Sequence, residues 1–236
     1  MKPSRLGHRL SRDTDDRLQP GTACRDRLPP AGCEGPSDCL PRRGLARTPS
    51  TRIVADLPTI RTLRLVLRPF SAADAPDVQR LAGAPEVAGA TLNIPHPYED
   101  GMAEAWIATL APAFTNLDMA AFAIALPDGR LIGAISLRLE PRHRRAELGY
   151  WIGVPFWGHG YATEAAQAIV EYGFQTLALN RIHATHLLRN PASGKVMDKI
   201  GMRYEGIHRQ HVWKDGQFED LVRYAILRGD QRSAAT

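Results

Sequence analysis

The sequence predicts one mixed α/β domain over roughly residues 57–229. Three observations point there. Apolar segments of strand period and of helix period alternate from Leu57 onward. Two turn triplets, Pro127-Asp128-Gly129 and Lys214-Asp215-Gly216, join strand-like runs into hairpins. Composition also breaks near Leu57, because residues 1–55 hold no aromatic residue and no apolar periodicity.

The elements follow in order. Residues 62–70 alternate Leu63, Leu65 and Leu67 with Arg64 and Arg68, which predicts a half-buried strand. Ser71 and Asp74 form a capping-box pattern that opens a helix to about Gly83. A loop rich in proline and glycine runs to Pro97, and a second helix is predicted over 98–114. Strands over 119–126 and 130–139 flank the first turn triplet, and 145–153 is another strand. A long helix over 160–177 should bury Ala162, Ala165, Ala166, Ile169, Val170, Gly173 and Phe174. A strand over 181–188, a short helix over 192–200 stopped by Gly201, and a hairpin of 202–213 with 218–227 complete the order. Residues 230–236 read as a C-terminal tail.

Residues 1–55 cannot bury enough apolar surface to offset their ordering entropy, so a disordered basic tail is expected. They carry 11 lysines and arginines against 6 acidic residues, while the rest of the chain carries 19 of each. The whole net charge of +5 therefore sits in the tail, and direct nucleic-acid binding by the domain is not expected. Cys24, Cys33 and Cys39 all lie there, odd in number and without a CxxC pair. Neither a disulfide framework nor a metal site is expected from them, which fits a reducing cytoplasm. No apolar run is long enough for a membrane span, and the opening residues lead into no secretory core. The contrast between tail and domain also admits a later start, with Val54 as the candidate, which intact mass would decide.

The informative stretch runs from Tyr150 to Ala165. A strand ends, Pro155 blocks its continuation, Gly158 and Gly160 permit a tight turn, and a helix begins. Unpaired N–H groups at such a start, with the helix dipole behind them, suit an anion, and a pyrophosphate is the natural ligand. A structural turn explains two glycines as well. A phosphate loop of the Gly-Lys-Ser/Thr kind is absent, and the dinucleotide pattern lacks its third glycine.

Four motifs sharpen the reading: Trp157-Gly158-His159-Gly160-Tyr161-Ala162, the strand Ala146-Glu147-Leu148-Gly149-Tyr150-Trp151, Asn190-x-x-Ser193, and Lys199-Ile200-Gly201-Met202. Together they resemble the GCN5-related N-acetyltransferases (GNAT), and within them the branch of the RimJ and RimL ribosomal-protein acetyltransferases. Trp157 departs from the family's usual Gln or Arg but is usual in that branch. The resemblance covers about residues 59–227 and implies a mostly antiparallel central sheet flanked by helices. It implies acetyl-CoA as co-substrate, held by Trp157, Gly158, His159, Gly160, Tyr161 and Ala162. The fourth and fifth strands of that family splay, which implicates the backbone of Trp151, Ile152, Gly153 and Val154 beside the pantetheine arm. Asn190 is implied at the pantetheine amide, although a helix N-cap before Pro191 is an equally good local reading. Glu147 is the implied base, against a surface glutamate paired with Arg144 or Arg145. Ser193 is implied at the departing thiolate, as acid or as hydrogen-bond donor.

The acceptor is an amine, either a protein N-terminus or a small amine such as an antibiotic or polyamine. Its pocket is expected from residues 81–98 and the last hairpin, with the basic run Arg142, His143, Arg144 and Arg145 nearby. No metal is expected, since His183 and His186 point to opposite faces of their strand and lack a third ligand. The assembly expected is a monomer or homodimer, without a membrane partner. A non-catalytic acyl-CoA-binding module and a ribosome-associated protein acting through the tail are the competing classes.

Overall fold

The computed structural model describes residues 56–230. The expected tail, its cysteines, the Val54 start and residues 231–236 lie outside them. Eight strands form one sheet: β1 (Ile60–Arg61), β2 (Val66–Arg68), β3 (Met119–Ala125), β4 (Leu131–Glu140), β5 (Arg145–Ile152), β6 (Arg181–Leu187), β7 (Arg203–Lys214) and β8 (Gln217–Leu227). Five helices accompany them: α1 (Ala75–Ala82), α2 (Pro85–Ala90), α3 (Met102–Thr115), α4 (Tyr161–Gln175) and α5 (Pro191–Lys199). The strand order is β1-β2-β3-β4-β5-β6-β8-β7, and every described pairing is antiparallel except β5 with β6. None of the described helices is long and apolar enough to cross a membrane.

Helices cover both faces, so the central strands are buried on both and read as continuous apolar runs. On one face Phe122, Ile135, Leu137, Leu148 and Ile182 pack with Ala165, Ile169 and Phe174 of α4. On the other, Ala123 and Leu131 pack with Val78 and Leu81 of α1 and with Ala103 of α3. Six of the seven residues expected to be buried on α4 are buried; Ala162 is half-exposed. Both turn triplets make their hairpins, with positive φ at Gly129 and at Asp215 and Gly216.

Three features depart from the sequence reading. The single strand expected over 62–70 is two short strands around a turn, in which Leu65 O accepts from Thr62 N at 3.0 Å. Leu63 sits on that turn, 91 % exposed, while Leu65 and Leu67 are buried as expected. Glu164 of α4 pins this turn by accepting from Thr62 Oγ1 and Arg64 N, so no local pattern could announce it. The loop up to Pro97 contains α2, whose first residue is Pro85, because proline suits the first turn of a helix even where it breaks the next one. The second helix begins at Met102, four residues later than expected, after Gly101 turns the chain with φ 84°.

The capping-box pair does more than start a helix. The Asp74 carboxylate accepts from Ser71 N at 2.8 Å and from both terminal nitrogens of Arg68 at 2.8 and 2.7 Å. Burial alone would raise the Asp74 pKa, but Arg68 and Ser71 outweigh it and hold the carboxyl below its ordinary value. That contribution to stability is complete above about pH 4, the unfolded value, and is lost as pH falls through the lower folded value. Asp74→Ala leaves the half-buried Arg68 guanidinium without its partner. It is expected to cost about 2 kcal/mol at neutral pH and to flatten the acid limb of the stability curve. Urea unfolding at several pH values checks both effects.

Candidate functional site

β5 and β6 are parallel neighbours for only three residue pairs, ending at Glu147 with His183. Beyond that pair β5 stays on β4 and β6 stays on β8, so the sheet splits. Gly153 donates its N–H to Ile132 O at 2.9 Å on the β4 side. Backbone groups alternate between the two edges of a strand, so the backbones of Leu148, Tyr150 and Ile152 face the split while those of Gly149 and Trp151 face β4. A cleft of about 780 Å³ opens there. Its lining includes Glu147, Tyr150, Thr185, Asn190, Ser193 and the start of α4.

Of the expected backbone set, Trp151 and Ile152 line the cleft and Gly153 and Val154 do not. Gly153 spends its N–H on β4, and its carbonyl accepts from Phe156 N at 2.9 Å. The Val154 carbonyl accepts from Trp157 N at 3.2 Å. Trp151 is turned to β4 by the alternation just described, and its side chain joins the α1 and α3 face. Ile152 keeps a free N–H, while its carbonyl accepts from the Trp157 indole at 2.6 Å. Tyr150, not among the expected backbone residues, faces the split beside Ile152.

The loop after β5 has the geometry of an anion site. Gly158 and Gly160 adopt φ of 79° and 80°, which residues with a Cβ resist. The first intrahelical bond of α4 runs from Glu164 N to Gly160 O, so the N–H groups of Tyr161, Ala162 and Thr163 are left at the helix start. Trp157, Gly158, Gly160, Tyr161 and Ala162 line the cleft. His159 does not. Its Nδ1 lies 2.8 Å from Trp157 O and its ring stacks on Tyr161, so the ring is drawn back along the loop.

Sequence reasoning missed the brace behind this loop. Glu164 accepts from Thr62 Oγ1 at 2.6 Å, Arg64 N at 2.7 Å and Arg64 Nε at 2.7 Å. Arg64 Nη1 then donates to His159 O at 3.0 Å, and its guanidinium lies 4.9 Å from the Tyr161 ring centre. A cation and the β1–β2 turn are thus fixed against the anion site. The only signal was an arginine on a strand, which carries no hint of a partner a hundred residues away.

Glu147 sits where β5 and β6 part, and its Oε1 accepts from Thr185 Oγ1 at 3.2 Å. Neither Arg144 nor Arg145 pairs with it: Arg144 donates to Ala178 O and Arg145 to Glu140. The basic run lies on the β4–β5 turn and contributes nothing to the cleft lining, whereas Arg138, the β4 partner of Glu147, does. His183 is buried, and burial together with Arg223 lowers its pKa although Glu147 opposes them.

Asn190 caps α5 by accepting from Ser193 N at 3.4 Å, and its amide nitrogen donates to Ala90 O at 3.1 Å. One amide N–H remains for a ligand. Ser193 Oγ lies 2.7 Å from the Tyr150 hydroxyl. Residues 81–98 wall the cleft as expected, with Val87, Leu92, Ile94 and Tyr98, and α3 adds Trp106. The last hairpin does not reach the lining. Its tie to this region is Arg189, which bonds Glu219 and Gly89 O.

Comparisons with known proteins agree with this geometry. A family model described as acetyltransferase (GNAT) domain matches residues 64–203. An N-acetyltransferase of Bacillus subtilis (strain 168), YoaA, whose name carries no assigned substrate, is 39 % identical over 99 residues, 42 % of this chain and 56 % of that one. The ribosomal-protein-serine acetyltransferase of Escherichia coli (strain K12) is 32 % identical over 101 residues, 42 % of this chain and 56 % of that one. The chain therefore spans little more than half the length of these relatives. Mycobacterium smegmatis RimJ in complex with CoA-disulfide superposes with a TM-score of 0.67 at 23 % identity, over 77 % of this chain and 96 % of that one. At that identity the likeness is one of fold.

Proposed function

The chain belongs to the acetyltransferase (GNAT) domain family, and from that premise we propose that it is an acetyl-CoA-dependent N-acetyltransferase acting on a protein N-terminal α-amine. The observation that carries the reading is the meeting of three things in one cleft: the anion site of α4, the free edge of β5 and the Glu147 carboxylate.

The residues fit the co-substrate. The bare N–H groups of Tyr161, Ala162 and Thr163 hold the pyrophosphate, with Gly158 and Gly160 allowing its close approach. The edge of β5 at Tyr150 and Ile152 pairs with the amides of the pantetheine arm, and the second N–H of Asn190 adds a contact. When bound, acetyl-CoA supplies an activated acyl group on a thiol leaving group. The Tyr150 N–H, on the same free edge and nearer Glu147, stabilises negative charge on the carbonyl oxygen in the manner of an oxyanion hole, which leaves the Ile152 N–H and the Tyr150 carbonyl for the pantetheine amides.

Glu147 takes the proton of the incoming ammonium at its free Oε2, since Oε1 already accepts from Thr185. An α-amine, with a reference pKa of about 8, asks less of that base than a lysine amine near 10.4. The apolar wall of residues 81–98 with Trp106 lines the acceptor side of the cleft and disfavours the charged ammonium. The similarity to a ribosomal-protein-serine acetyltransferase supports a protein N-terminus as the acceptor.

The test follows thiol release from acetyl-CoA with a panel of N-terminal peptides, lysine peptides, polyamines and aminoglycosides. Turnover is expected with α-amines of peptides. Turnover with small amines alone would move the acceptor class. Tight binding of acetyl-CoA with no turnover on any amine would leave an acyl-CoA-binding module instead.

A further inference from the structure

Tyr150 and Ser193 form a closed pair at the cleft. The phenol oxygen lies 2.7 Å from Ser193 Oγ and 3.1 Å from Ser193 O. A phenol has one proton, a carbonyl oxygen can only accept, and both contacts come from the same serine. The pair joins the two walls of the split, because Tyr150 belongs to β5 and Ser193 to the first turn of α5. Ser193 N is committed to the N-cap at Asn190, which fixes the backbone of the serine. Only its hydroxyl proton remains free to choose a direction.

That choice decides what Ser193 can do. A serine that donates to Tyr150 has no proton left for a ligand. A serine that accepts from Tyr150 keeps its own proton for the cleft. We propose that Tyr150 is a positioning residue acting through Ser193: its phenol donates to the two serine oxygens and so turns the Ser193 proton toward the sulfur of coenzyme A. The inference rests on the coenzyme A reading above and names which protein group stabilises the leaving sulfur.

Tyr150 does not itself give up the proton. Burial pushes its phenol up to about 12, although the Ser193 hydrogen bond opposes the shift. Transfer from such a phenol to a thiolate of reference pKa about 8.5 is disfavoured by roughly 10³ to 10⁴. The Ser193 hydroxyl is then a hydrogen-bond donor that keeps its proton. As the carbon–sulfur bond breaks, the electron pair stays on sulfur, and the Ser193 O–H stabilises that charge. The proton that later makes the thiol comes from water, which carries the one shed by the amine. α5 contains no tyrosine of its own, so the phenol that steadies this position reaches it from β5.

The test reads the thiol and not turnover. Coenzyme A is bound to the wild-type protein, and its thiolate absorbance is titrated from about pH 6 to about pH 10.5, a range that covers an ordinary thiol and a raised one. The bound thiol is expected to ionise about one pH unit below free coenzyme A, as a donor to the thiolate requires. Tyr150→Phe and Ser193→Ala should each raise that value by a similar amount, and the double variant should raise it no further. Acetyl transfer should fall about tenfold in kcat in each single variant, with the KM for acetyl-CoA little changed. A Tyr150→Phe protein with the wild-type thiol titration overturns the proposal, as does an additive double variant. A wild-type protein that binds no coenzyme A overturns the cofactor reading first, and this inference with it.

Discussion

Glu147→Gln is expected to lower kcat about a hundredfold at neutral pH and to change the shape of the pH profile. The substitution keeps the size of the side chain, and its amide oxygen can still accept from Thr185, which now donates to Oε1 at 3.2 Å. What disappears is the capacity to take a proton at the split between β5 and β6. With the base gone, the rate should follow the fraction of acceptor that is already neutral. It should therefore keep climbing toward the amine's own pKa of about 8, where the wild-type rate has levelled off. Thiol release at saturating acetyl-CoA and peptide, measured across pH, checks this. A variant with the wild-type kcat at every pH removes Glu147 from the mechanism. A fall in acetyl-CoA affinity without a fall in kcat gives it a binding role instead.

Gly160→Asp should separate stability from binding. Gly160 is the N-cap of α4 and adopts φ 80°, a conformation that Asp and Asn accept better than other residues with a Cβ. The nearest atom to an added Cβ is Arg64 Nη2 at 3.6 Å, an ordinary contact, so the fold has room. A carboxylate at a helix start is favoured by the dipole and by Arg64. The melting temperature is therefore expected to change by only a few degrees. The same carboxylate occupies the anion site with the wrong charge. Two unit charges about 4 Å apart near a protein surface repel by about 4 kcal/mol, which predicts a loss of acetyl-CoA affinity of about 10³-fold. Gly160→Asn carries the shape without the charge and should lose about tenfold or less. Calorimetric titration of both variants against thermal melts is the measurement. Equal losses for Asp and Asn would show that strain, not charge, governs this loop.

Most of the fold was legible because its elements are set by local chemistry. Pro127-Asp128-Gly129 and Asp215-Gly216 dictate turns whatever surrounds them, and the apolar period of α4 names its buried face. The site was legible in its motif residues, since the helix start, Glu147, Asn190 and Ser193 line one cleft. What the sequence hid was set by distant partners. Leu63 looks like a core leucine until Glu164 pins the turn beneath it. Gly153 looks like an open edge until Ile132 takes its N–H. His159 sits in the motif, yet its ring is held by Trp157 O and Tyr161. Tyr150 was part of a recognised strand motif, but its hydroxyl meets a serine 43 residues further on. Such choices follow from which edge of a strand is free, and register is not written in composition.

The brace between Arg64 and Glu164 bears on how the site is made. Its partners are 100 residues apart, and loop closure over that distance must precede any gain from the contact. A ribosome releases Arg64 long before α4 exists, so the first strand of the domain must wait for its place. β3, β4 and β5 can pair as successive hairpins in the meantime, each closing a short loop. The loop at the start of α4 is therefore braced only once the first strands of the domain have closed on α4, although the glycines that shape it lie near the middle.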